Sequence, residues 1–203
     1  MKIGKKLARS FYLKEDVKEV AKLLLGKVLV TQVNGQRTSG IITETEAYEG
    51  AIDKASHAYG NRRTLRTETM FESGGCAYVY LCYGIHNMFN VVTGPKDLAH
   101  AVLIRAIEPF EGIETMLKRR NKNKLSFDLT AGPGCLCQAL GINRLINGEN
   151  LLGNTVFILD TDVKLTNKQI IASPRVGVHY AQEHSQWPYR FRIKESSWTS
   201  RPK

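Results

Sequence analysis

Glu44, Glu46 and Tyr48 stand two residues apart in the stretch TETEAYEGAIDKASH, residues 43–57. In a β-strand, alternate residues point to one face. Two carboxylates and a phenol then line one surface, and His57 follows after a loop containing Gly50, placed to fold back over them. An acid crowded by a second acid, or set beside apolar neighbours such as Ile42 and Ala47, has its proton affinity retuned, which suits general acid–base chemistry. The same spacing also describes an edge strand whose charges face water, so these residues alone leave both readings open.

The elements that must hold this stretch are legible around it. In residues 14–25, Val17, Val20, Ala21 and Leu24 follow helical spacing, and Gly26 is placed to stop the helix. Residues 27–33 are a β-branched run that ends in Asn34-Gly35, a strong hairpin signal. The returning strand runs through Ile41 into the acidic stretch, so the carboxylates sit where a core strand leaves its sheet.

A second hairpin is predicted over residues 76–92, turning near Tyr83-Gly84-Ile85. Tyr78 and Tyr80 share one face of its first strand, and His86, Met88 and Asn90 share one on its return. A turn made of Gly84–His86 sets Tyr80 opposite Asn90, and a slip of one residue would break that pairing. Tyr83 is unusual because hairpin tips normally carry small polar residues. In a basic protein, a projecting aromatic suits a wedge between stacked bases, although it can also fold back over its own hairpin.

The buried-looking run AVLIRAI, residues 101–107, is interrupted by Arg105. A guanidinium there requires an acid, and Glu46 and Glu108 are the candidates. A helix follows Pro109, with Ile113, Met116 and Leu117 on one face and Lys118, Arg119 and Arg120 at its end, where cations complement the dipole. Residues 131–141 read as a turn and a short helix with Pro133 in its first turn. Further strands are predicted at 151–160, 174–178 and 189–193, the last presenting its cations outward. Residues 59–71 read as a loop, whose Arg62, Arg63 and Arg66 are candidate phosphate contacts beside the acidic surface.

Composition bounds the class. With 203 residues and 42% hydrophobic content the chain can bury a core, and one domain spanning 1–203 is expected. A net charge of +10 favours polyanionic partners, nucleic acid ahead of an anionic membrane. No run approaches the roughly 18–20 apolar residues of a spanning helix, and no signal peptide opens the chain. Residues 1–10 read as a basic N-terminal arm on a cytoplasmic monomer with no membrane partner. Cys76, Cys82, Cys135 and Cys137 lack C-x-x-C spacing, so small buried thiols are expected and no metal.

Nine segments in order carry a resemblance: ETEAY (44–48), D-x-A-S-H (53–57), Met70-Phe71, YVY-x-x-YG (78–84), NVV (90–92), LIRAIEP (103–109), GPG-x-LCQALGI (132–142), RVGV (175–178) and P-x-RF (188–191). Together they resemble the alkyladenine, or 3-methyladenine, DNA glycosylase family, over nearly the whole chain from about Phe11. Cys135 departs from the pattern, standing where relatives often carry Lys.

The resemblance implies a monofunctional DNA glycosylase of base excision repair, associated with the nucleoid of a bacterial-type cytoplasm. Its partner is double-stranded DNA containing damaged purines, and it needs no cofactor. Glu46 would activate the water that hydrolyses the N-glycosidic bond, with Arg105 and the Val178 carbonyl holding that water. Tyr48, His57 and Tyr80 would sandwich the extruded base, Asn90 would sit at the pocket edge, and Tyr83 would fill the gap in the duplex. The expected fold is one α+β domain: a curved, largely antiparallel sheet, surrounding helices and a protruding hairpin. A non-catalytic RNA- or tRNA-binding module and a nucleoside or sugar glycosidase are the alternatives. The first gives no reason to gather carboxylates near Arg105; the second needs neither the basic surface nor an aromatic tip.

Overall fold

Alternating β-branched residues and two tight turns build most of the sheet. The computed structural model describes residues 2–202. In chain order these form β1 (Ile3–Lys6), α1 (Arg9–Tyr12), α2 (Val17–Leu24), β2 (Val28–Val33), β3 (Gln36–Glu49), β4 (Ala77–Cys82), β5 (His86–Thr93), β6 (His100–Glu111), α3 (Ile113–Arg119), α4 (Pro133–Leu140), β7 (Val156–Thr161), β8 (Ile170–Ser173) and β9 (Arg190–Ile193). The strands join one antiparallel sheet in the order β1-β7-β2-β3-β6-β5-β4, while β9 pairs with both β3 and β8. This is the α+β architecture expected from the sequence. No helix among the described residues is long and apolar enough to cross a membrane.

The first hairpin turns on Asn34 and Gly35, both at positive φ, which the right-handed strand twist favours. That turn pairs Val33 with Gln36 and, further along, Val28 with Ile41. Asp16 caps α2 by accepting from the Lys18 and Glu19 amides. The helix then buries Val17, Val20, Ala21 and Leu24 completely, in the main core with Ile42, Phe89 and Ile104.

β3 is the organising strand. Along one edge it pairs with β6 from Ser39 to Glu49. Along the other, β2 covers Gln36–Ile41, and β9 takes over at Glu44–Glu46. Register shifts fall between Ile42 and Thr45, where the second edge changes partner. The acidic stretch therefore lies at a fork inside the sheet, not on an exposed edge, and Glu44 and Glu46 are both fully buried.

Four expectations are corrected. Of the arm expected over residues 1–10, the described residues are not one: Ile3 and Lys6 pair with β7, and Ile3 packs on the Val28, Val30 and Phe157 cluster. Residues 174–178 form no strand, since Gly177 takes φ 75° and the Val176 amide is spent on Glu46. Arg190 does not point outward; it is 3% exposed and turns in to Glu44. In the second hairpin the loop is Tyr83–Ile85, so Tyr78, not Tyr80, pairs with Asn90, and Tyr80 pairs with Met88.

Candidate active site

β3 delivers two buried carboxylates, and their surroundings separate them. Glu44 Oε1 accepts from Arg105 Nε at 3.0 Å, Arg190 Nε at 2.6 Å and Ser200 Oγ at 2.8 Å, and its Oε2 accepts from the Ser200 amide at 2.6 Å. Glu44 thus meets four donors, three of them crowded on one oxygen. Glu46 accepts only from the Val176 amide at 2.8 Å and the Tyr48 hydroxyl at 2.9 Å, with a nitrogen of Arg105 at 3.3 Å from its Oε2. Glu46 therefore keeps capacity for another donor. Glu108, the other acid considered for Arg105, is exposed.

Arg105 is the cation common to both acids. Burial works against its charge, but Glu46 and Glu44 outweigh that and hold its pKa above the ordinary value. The Tyr48 phenol is pushed well above its usual range by burial and then by the Glu46 charge, so it stays a donor. Val178 is buried, and its carbonyl accepts from the Ala181 amide at 2.9 Å, which leaves one lone pair.

Tyr48, His57, Tyr80 and Asn90 line one cavity, joined by Tyr78, Met70, Ala101, Ala55 and Tyr180. Tyr78 and Tyr80, two apart on β4, hold their rings 5.5 Å apart. His57 meets Tyr80 edge-on at 4.6 Å, and its Nδ1 is 2.9 Å from the Tyr78 hydroxyl. Burial, then the charges of Arg66 and Arg62, lowers the His57 pKa to about 4, so the ring is neutral at pH 7. Asn90 donates to the Tyr78 carbonyl at 3.1 Å, which fixes its amide at the cavity wall.

A second buried ion pair braces this wall. Arg175 binds Asp53 through both terminal nitrogens, one of them at 2.9 Å, and donates to the Ala47 carbonyl at 2.8 Å. Its guanidinium lies 4.7 Å over the Tyr48 ring. Sequence reasoning gave neither residue a role. The signal was an arginine and an aspartate, each within a segment of the resemblance, whose pairing no local spacing reveals.

The hairpin tip projects beside the cavity. Tyr83 is 89% exposed and sits at φ 50°, followed by Gly84 at φ 71°. A bulky side chain at positive φ is a genuine outlier, and such strain gathers at functional positions.

The three loop arginines divide. Arg63 is committed to Glu68 at 2.7 Å and Asp97 at 2.8 Å. Arg62 and Arg66 are exposed, and Arg66 lies 5.1 Å over the Tyr80 ring. Arg66 also shares a groove with Arg144 and Asn147, none of whose lining residues is acidic. Arg144 comes from a short turn far along the chain and was not among the sequence candidates. Among the described residues, no group of three His, Cys, Asp or Glu side chains is placed to hold a metal ion.

This constellation sets an aromatic-lined cavity against Tyr48, whose hydroxyl donates to a buried carboxylate that keeps a lone pair for another donor. Comparison with known proteins points the same way. A family model described as methylpurine-DNA glycosylase matches residues 10–197. A Chlamydia abortus protein, provisionally named 3-methyladenine DNA glycosylase, is 52% identical over 91% of this chain and 96% of its own length. Similarly named proteins of Desulfitobacterium hafniense and Clostridium perfringens strain SM101 are 43% and 45% identical over 97% of this chain, and over 98% and 99% of their own lengths.

Proposed function

The chain belongs to the methylpurine-DNA glycosylase family, and from that premise we propose that it flips damaged purines out of duplex DNA and hydrolyses their N-glycosidic bond with a water activated by Glu46. The observation that carries this reading is the inequality of the two carboxylates: Glu44 is held by four donors, two of them from buried arginines, whereas Glu46 accepts from two.

In this reading an ionised Glu46 accepts a proton from water as the oxygen attacks the sugar carbon. Arg105 and the free lone pair of the Val178 carbonyl fix the water's position. Tyr48 stays protonated and orients the Glu46 carboxylate. An alkylated purine carries positive charge, so its bond to the sugar is already weakened and its departure needs no second acid. That distinguishes the site from sugar hydrolases, which divide the work between two carboxyl groups.

The cavity suits such a base. Tyr48 and Tyr80 each carry a guanidinium over one face, and the other face of such a ring attracts a cation by roughly 0.5–2 kcal/mol per contact. A neutral His57 adds no opposing charge. Asn90, held at the wall, discriminates at the base edge. Tyr83 replaces the stacking that disappears when the nucleotide leaves the duplex, while Arg62 and Arg66 meet the backbone. Damaged or mispaired bases cost less to unstack, which selects them before chemistry begins. A passive RNA binder would gain nothing from burying acids that repel phosphate.

The test is incubation of the protein with duplexes that each carry one modified purine, followed by detection of free base and of alkali-labile strand. Release from alkylated purines is expected. Intact strand across the whole panel would refute the proposal.

A further inference from the structure

Tyr180 has no part in the reading above. It lies two residues beyond Val178, in the 3-10 stretch His179–Gln186. Its ring lines the same cavity as Tyr48, His57 and Tyr80, yet the residue is 65% exposed. A side chain that is wall and surface together stands at the mouth. Its phenol also lies within electrostatic reach of Tyr80 on the wall and of Tyr83 at the hairpin tip.

Its backbone and its side chain are held very differently. Flanking residues are tied to the loop that carries Asp53 and His57. Lys54 Nζ reaches Gln182 Oε1 at 2.7 Å and Glu183 at 2.7 Å, and the Lys54 amide donates to His184 Nδ1 at 3.1 Å. The Arg175–Asp53 pair joins the same two segments deeper in. The ring has one tether: the Tyr180 hydroxyl donates to the Ala55 carbonyl at 3.0 Å. The backbone is therefore anchored on one side, and one neutral hydrogen bond at an exposed site holds the ring in place.

We propose that Tyr180 is a size selector at the cavity mouth. Latched to Ala55, its ring narrows the opening to a flat purine with a small substituent. A purine carrying an additional fused ring is accommodated only when the latch opens, so it forfeits that hydrogen bond. This inference rests on the glycosylase reading. The penalty on the larger base is about fivefold, the factor that one net hydrogen bond is worth.

The experiment is single-turnover excision from matched duplexes bearing either a singly methylated purine or a purine with a fused two-carbon bridge. It compares wild type, Tyr180→Phe and Tyr180→Ala, with melting curves to show that the variants fold. Tyr180→Phe keeps the ring and removes the latch; Tyr180→Ala removes both. The ratio of bridged to methylated excision is expected to rise about fivefold in Tyr180→Phe and at least as much in Tyr180→Ala. A ratio unchanged in either folded variant overturns the selector. A wild type that releases neither base refutes the glycosylase reading itself, a distinct result.

Discussion

Glu44 and Glu46 meet the same guanidinium, that of Arg105, from alternate positions on one strand, and only Glu44 is also held by a second arginine and by Ser200. This asymmetry separates two substitutions that look alike in sequence. Glu46→Gln is expected to keep DNA binding and lose base release by several orders of magnitude, because an amide cannot accept the proton of water. Glu44→Gln leaves Arg190 buried without its counter-charge and Arg105 with Glu46 alone, a loss of about 3–5 kcal/mol of stability. Denaturant melts and single-turnover excision on both variants check the pair. A stable, inactive Glu44→Gln beside an active Glu46→Gln would reverse the assignment.

The arginines of the 59–71 loop should not behave as a group. Arg62 and Arg66 are exposed, whereas the Arg63 fork is occupied by Glu68 and Asp97. Removing a single cation that pairs with phosphate lowers the log–log salt slope of duplex binding by roughly 0.9. Arg62→Gln and Arg66→Gln are expected to show that drop, as is Arg144→Gln across the groove, while Arg63→Gln leaves the slope unchanged. Equal slopes for all four variants and wild type would move the DNA backbone to another face.

Tyr83 combines exposure with positive φ. Base–aromatic stacking is worth roughly 1–3 kcal/mol, so Tyr83→Ser is expected to lower excision from a matched pair about tenfold or more. The effect should shrink when the same lesion sits in a mismatch or a single strand, where flipping is already cheap. Single-turnover excision in the three contexts decides it. A decrease of one size in all of them would make Tyr83 a folding or pocket residue.

His57 makes stability depend on pH. Its folded pKa, about 4, lies below the unfolded value of 6.5 because the ring is buried and faces Arg66 and Arg62. Protons then favour the unfolded chain. The stability is whole above pH 6.5 and declines as pH falls toward 4, by at most about 3 kcal/mol. Urea melts of wild type and His57→Gln at pH 7 and pH 4.5 should therefore converge or cross as pH drops. A constant gap between the two would show that folding leaves the proton affinity of His57 unchanged.

Local chemistry was the legible part of this chain. The Asn34-Gly35 turn, the face of α2 and the need of Arg105 for an acid all follow from spacing within a dozen residues. The register of the second hairpin did not, because a loop at 83–85 and one at 84–86 satisfy the same alternation, and only packing against His57 and Met70 chooses between them. Asp53 with Arg175 and Glu44 with Arg190 and Ser200 were hidden for another reason. Those partners lie far apart in the chain, and they meet only after the sheet has brought distant segments together. Tyr180 escaped notice because a tyrosine in an irregular loop carries no sign of what it covers.

The closure of Glu44 by Arg190 and Ser200 also sets a timetable for the newborn protein. The β2–β3 hairpin needs only a two-residue turn and can close while the chain is still short. Glu44 must wait for donors that lie 146 and 156 positions away. At roughly 5–20 residues per second, the ribosome takes on the order of ten to thirty seconds to supply them. Until then Glu44 lacks the second of its two arginines. A chain that stops short of Arg190 and Ser200 thus leaves Glu44 with one of its four donors, that of Arg105.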